Sequence, residues 1–241
     1  MPSDTFAGEE VARTELRGWV YRHLAILFDS IPESLPPPAP AGGAAAGGSG
    51  MDAYPRTLAA IERLLEIFAA QTREQMQAEQ TRLLLNAPGG VVAPPYASWY
   101  LDGFLLGPAC DWAAEEYSLQ SLESDPAGEP ADFIAIELEY MYFLCRHERA
   151  ARLTGDQAAL AAAIQAQARF FFNHLIRWLP KFVERLRAGS PRGVYLALAQ
   201  LLEAFMVEEG EQLAGTQPPL REQLQDSRPI RASCCSGSNQ R

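Results

Sequence analysis

The sequence predicts an all-α fold built as a single helical domain. Apolar residues recur at three- and four-residue steps along most of the chain, Gly and Pro fall between those stretches, and no strand pattern competes. With 48% hydrophobic residues in 241, there is enough apolar material for one large domain with its own core.

From Glu9 to Phe28, the residues Val11, Leu16, Trp19, Val20, Leu24, Leu27 and Phe28 fall on one helical face. Pro32 to Gly50 reads PESLPPPAPAGGAAAGGSG, which lacks periodicity and is rich in residues that break a helix, so a long flexible loop is expected at 32–50. Periodicity returns at Tyr54, Leu58, Ile61, Leu64, Leu65 and Phe68, runs with interruptions to Leu85, and stops over Asn86 to Gly90. After an irregular stretch, Val91 to Gly107, helices are expected at about Pro108–Leu122, Pro130–Leu153, Gln157–Leu186 and Pro191–Leu213. Pro180 is expected to kink or split the third of these near Trp178. The resulting division is a helical domain over 1–225 and a disordered tail over 226–241 without an apolar face.

Thirty acidic against twenty basic side chains leave a formal charge of -10, which argues against a nonspecific binder of nucleic acid. Met1 to Arg13 carries Asp4, Glu9 and Glu10 without an apolar core, so neither a secretory signal nor a transit peptide is read there and a cytoplasmic location is expected. The most hydrophobic region, Val91 to Cys110, is broken by Pro94, Pro95, Asp102 and Pro108, so no membrane insertion is expected. Cys110, Cys145 and the adjacent Cys234 and Cys235 form neither a disulfide framework nor a metal pattern.

Catalytic signatures are missing. Val20, Leu144 and Phe171 stand three residues before His23, His147 and His174, where a di-iron bundle needs Glu, and phosphate-loop, HExxH and GxSxG patterns are absent. No metal, cofactor or catalytic residue is therefore assigned.

Two segments are unlike ordinary core. In the first, Tyr96, Ser98, Trp99, Tyr100, Leu101 and Asp102 follow the double proline Pro94-Pro95, a rigid aromatic loop that either binds an apolar peptide or plugs a gap between helices. In the second, Glu129 to Met141, Pro130 marks a helix start. On a helical projection Asp132, Glu139 and Arg146 share one side, while Glu137 falls among Phe133, Ile134, Leu138, Met141 and Leu144. A carboxylate on an apolar face is either tied to a buried Arg or backbone donor or placed to meet a ligand.

Together the two segments resemble the TorD, DmsD and NarJ group of molybdoenzyme chaperones. The stretch EPADFIAIELEYM matches that group's Glu-Pro-x-Asp-His-x-x-x-Glu-Leu-x-Phe-Met helix at Glu129, Pro130, Asp132, Glu137, Leu138 and Met141, with Phe133 in the place of His and Tyr140 in the place of Phe. The upstream PPYASWYLD matches at Pro95, Tyr96, Ser98, Tyr100, Leu101 and Asp102. The resemblance implies a TorD-like helical fold, cytoplasmic residence, and binding of the catalytic subunit of a molybdoenzyme through its N-terminal leader until the molybdopterin is inserted. It carries over no role for the histidine that Phe133 replaces.

The reading that follows is a chaperone in which Tyr96, Ser98, Trp99, Tyr100, Leu101, Asp102, Glu129, Asp132, Phe133 and Glu137 form an acidic, aromatic groove for a twin-arginine leader. Within the same group, a member recognising a folded face of a leaderless enzyme is the neighbouring reading. From another class, the alternative is a helical hydrolase or nucleotide-binding enzyme using Glu137 and Asp132. Both monomer and domain-swapped dimer are compatible with this reading.

Overall fold

The computed structural model describes residues 2–36, 50–86, 90–123, 125 and 128–216. Most of the expected 32–50 loop and all of the 226–241 tail, with Cys234 and Cys235, lie outside these residues. The described residues form an all-α fold without a strand; the sole bridge pairs Tyr96 with Phe133.

Helix α1 (Pro2–Asp29) ends where Ile31 precedes Pro32, a position that disfavours helical backbone. It packs lengthwise on α6 (Ile134–Thr154), and α2 (Pro55–Ala70) packs on α9 (Val194–Thr216). Between them lie α3 (Arg73–Gln80), opened by a reciprocal Thr72/Gln75 cap, α4 (Ala97–Leu101) and α5 (Pro108–Ser118). Helix α6 stops at Gly155, whose φ of 71° suits a residue without Cβ. Helices α7 (Gln157–Phe170) and α8 (Ile176–Gly189) follow and complete the packing.

Helix α4 lies inside 91–107, which the sequence reads as irregular, and two further expectations change. Helix α6 begins at Ile134 rather than Pro130, because residues 130–133 make a turn, closed by the Phe133 N–H on the Pro130 carbonyl at 2.9 Å, that sets Phe133 against Tyr96: the Ala97 N–H donates to the Asp132 carbonyl at 3.0 Å and the Ile134 N–H to that of Pro95 at 2.9 Å. Asp132 therefore does not share a helical side with Glu139. Pro180 does not split its helix, since α8 runs through it with the ring exposed. The irregularity sits upstream, in a π-helical turn over Phe171–Leu175 that shifts the register so that Phe171, His174, Leu175, Trp178, Leu179 and Phe182 all face inward.

The core joins Tyr21 and Phe28 of α1, Tyr54 just before α2, Phe170 of α7, Trp178 of α8, and Tyr195 and Phe205 of α9. Inside it lies a charge cluster. Arg17 of α1 forms ion pairs with Glu148 of α6 and Glu209 of α9, both at 2.8 Å, and donates to Gln167 of α7. Glu209 also accepts from the Tyr21 and Tyr54 hydroxyls at 3.0 and 2.6 Å. A buried charge is tolerable only when paired and hydrogen-bonded in this way. No helix of the described residues is long and apolar enough to cross a membrane.

Candidate functional site

The double proline brings the chain in extended form to Tyr96, and pairing with residues 131–133 then turns it into α4. That pairing joins the two segments singled out in the sequence. The Tyr96 hydroxyl donates to Glu129 Oε2 at 2.9 Å, and its ring lies 5.5 Å from that of Phe133. Burial and the neighbouring Glu129 push the Tyr96 hydroxyl pKa up, so it stays a donor. The Ser98 N–H donates to Asp132 Oδ2 at 2.7 Å. Ser98 and Asp132 are both fully buried, yet Ser98 Oγ and Asp132 Oδ1 have no partner.

Glu137 is tied neither to Arg nor to a backbone donor. Its Oε1 meets His174 Nε2 at 2.6 Å and its Oε2 accepts the Trp178 indole N–H at 3.0 Å. Burial raises its carboxyl to about 7, against the opposing pull of His174 and Trp178. Trp112 of α5 stacks on His174 at 5.0 Å, and Tyr100 stacks on Trp178 at 5.5 Å.

The ten residues thus separate by depth. Ser98, Asp132, Phe133 and Glu137 are buried, Tyr96, Tyr100, Leu101 and Asp102 are half-buried, and Trp99 and Glu129 are exposed. Asp102 has a fold role, since its Oδ2 accepts the Ala109 N–H at 2.9 Å in the first turn of α5.

Beside them runs a groove of about 580 Å³ lined by Leu101, Asp102, Pro108, Trp112, His174 and Arg177. Between the lining residues Asp102 and Pro108 the chain exposes Phe104, Leu105 and Leu106 to 56%, 49% and 66%, close in sequence to Trp99 at 40%. Leu106 has a φ of 60°, which a side chain adopts only at some cost. Sequence reasoning missed these three residues together with Trp112, His174 and Arg177. The visible signal was an apolar triplet between Gly103 and Gly107 with no helical period to bury it. The site combines a fixed apolar rim, a groove and buried acceptor capacity, which suits binding of an extended apolar segment carrying a donor.

Comparison with known proteins agrees with this architecture. Residues 51–184 match the model of the nitrate reductase delta subunit family. A chaperone protein TorD of Vibrio cholerae serotype O1 is 35% identical over 119 residues, 48% of this chain and 53% of that one, so the chain spans about half the length of this relative. The TorD chaperone of a Psychrobacter species is 31% identical over 158 residues, covering 64% of this chain and 69% of its own, and that of Aliivibrio fischeri is 33% identical over 168 residues, covering 64% and 74%. A crystal structure of an Archaeoglobus fulgidus protein assigned to redox enzyme maturation superposes with a TM-score of 0.50 at 20% identity, over 80% of this chain and 94% of the other, which speaks for the fold alone. A family match over more than half of the chain, and TorD relatives matched over more than two thirds of their own length, decide the question of kinship: the chain belongs to the nitrate reductase delta subunit family.

Proposed function

We propose that this protein is a cytoplasmic chaperone, acting by binding and not by catalysis, that holds the catalytic subunit of a molybdopterin-dependent oxidoreductase until it matures. The supporting observation is the exposed apolar rim of Trp99, Phe104, Leu105 and Leu106 on a packed scaffold beside the 101–177 groove. Rings and leucines held in water have no fold role to explain them, and they bind apolar peptide at small ordering cost. Burying about 400 Å² of apolar leader would supply roughly 10 kcal/mol before the costs of ordering, which leaves a reversible, micromolar interaction. The names of the TorD relatives point the same way.

A leader with paired arginines fits the polar part of the site. Exposed Glu129 offers a carboxylate at the surface, and Asp132 Oδ1 is a buried acceptor that a guanidinium N–H would satisfy. A hydrolase built on Glu137 and Asp132 is disfavoured, because both oxygens of Glu137 are already held, by His174 and by Trp178.

Calorimetric titration of the purified protein with a twin-arginine leader peptide tests the reading. Trp99→Ala should weaken binding by about 2 kcal/mol while leaving the Tm nearly unchanged. Asp132→Asn should lose roughly 1.5 to 3 kcal/mol against the arginine leader and nothing against a leader with both arginines replaced by glutamine. Absence of leader binding by the wild type, together with failure to retain an apo catalytic subunit in a pull-down, would sink the proposal.

A further inference from the structure

A second groove, of about 330 Å³, lies between α1 and α6 and shares no lining residue with the first. Gly18 forms part of its floor, and a Cβ there would already touch the Tyr142 ring at 3.5 Å, so α1 approaches α6 closely at this point. The walls are aromatic and basic. Trp19 stacks on His23 at 4.2 Å, and the guanidinium carbons of Arg22 and Arg146 lie 5.2 and 6.0 Å from the centroid of the same Tyr142 ring. His23 donates through Nδ1–H to the Trp19 carbonyl at 2.8 Å, and burial, with Arg22 beside it, lowers its pKa.

Two arginines on the wall of this groove are not balanced within the chain. In a protein of net charge -10, Arg13, Arg17, Arg149, Arg152, Arg169 and Arg187 each stand against a carboxylate. Arg22 and Arg146 are exposed, and no carboxylate among the described residues lies within ion-pair distance of either. The one acid lining the groove, Glu15, is occupied by Arg149 at 2.6 Å. Two arginines converging on one ring, with their remaining N–H groups turned to no internal acceptor, form an anion-receptive surface on an otherwise acidic molecule.

We propose that the α1–α6 groove is a second docking site, which takes an acidic segment of a partner protein that also carries an aromatic side chain. Carboxylates of the segment pair with Arg22 and Arg146, and the ring enters beside Trp19 and Tyr142. Complementary charge selects the occupant: the groove's uncompensated charge is positive, and its walls offer stacking faces. Because the two grooves have no residue in common, one partner can sit here while the other groove is filled.

Fluorescence anisotropy with the full chain tests this, using a labelled peptide of glutamates with phenylalanine at every fourth position and a control peptide with glutamine for glutamate. The wild type should bind the acidic peptide and not the control, with affinity falling as salt rises. The double variant Arg22→Gln, Arg146→Gln should lose binding tenfold or more, while Trp99→Ala should bind as the wild type does. Equal binding of both peptides, or undiminished binding by the double variant, would overturn the proposal. So would two other results: sedimentation showing that the arginines instead hold two copies of the chain together, or tight, arginine-dependent binding of pyrophosphate with none of the peptide. Both arginines project from the surface of long helices, so circular dichroism of the double variant should match the wild type and exclude a folding defect.

Discussion

Glu137 lies among apolar side chains with one oxygen against a histidine and the other on an indole, and burial raises its carboxyl to about 7. In the unfolded chain the same group titrates near the ordinary glutamate value. Between roughly pH 4.5 and 7 the folded protein therefore binds more protons at this site than the unfolded one, and stability falls as pH rises. Glu137→Gln, which keeps the shape and cannot ionise, should flatten this slope in urea unfolding followed at several pH values; an unchanged slope would show that Glu137 is not its source. Glu148 behaves in the opposite sense: burial would raise it, but Arg17, Gln167 and Arg152 outweigh burial and hold it at about 2. Its contribution is complete above the ordinary glutamate value and is lost as pH falls toward 2. The sequence marked Glu137 as the odd residue on an apolar face, but its partners stand 37 and 41 residues further on, and no local spacing links them.

At the scale of elements, the segment joining α4 to α5 decides how the apolar rim is presented. Asp102 receives the Ala109 N–H, Gly107 has no room for a Cβ beside that carboxylate, and Gly103 has a φ of 84°. Gly103→Ala should cost about 1 kcal/mol or more in stability through backbone strain alone. It should also lower leader affinity by displacing Phe104, Leu105 and Leu106, as calorimetry with and without denaturant would reveal. Loss of stability with full affinity would mean that the loop's conformation does not matter for binding. The longer helices were legible, because a buried face repeats every three to four residues regardless of what buries it, whereas the five-residue α4 lies inside 91–107, a stretch read as irregular, since it is too short to show a period. Helix ends at proline were less so: Pro130 reads as a start until residues 131–133 find 95–97, and Pro180 reads as a break until its exposed side makes the missing donor harmless. Both outcomes depend on tertiary contacts that no window of sequence contains.

For the molecule as a whole, the charge cluster ties α1, α6, α7 and α9 at one buried point. Glu209→Gln leaves Arg17 with a single carboxylate and should destabilise the protein by about 3 to 5 kcal/mol, the usual loss when one partner of a buried ion pair is removed. Equilibrium denaturation measures this, and a change below 1 kcal/mol would show the cluster to be slack. The cluster also sets a timetable for synthesis. Arg17 and Glu209 are separated by 192 residues, an interval a ribosome takes roughly ten to forty seconds to translate. For all that time the guanidinium of the first helix lacks one of its two carboxylates, although Glu148 of α6 is made earlier. The joint between α1 and α9 is thus the last part of the centre to close.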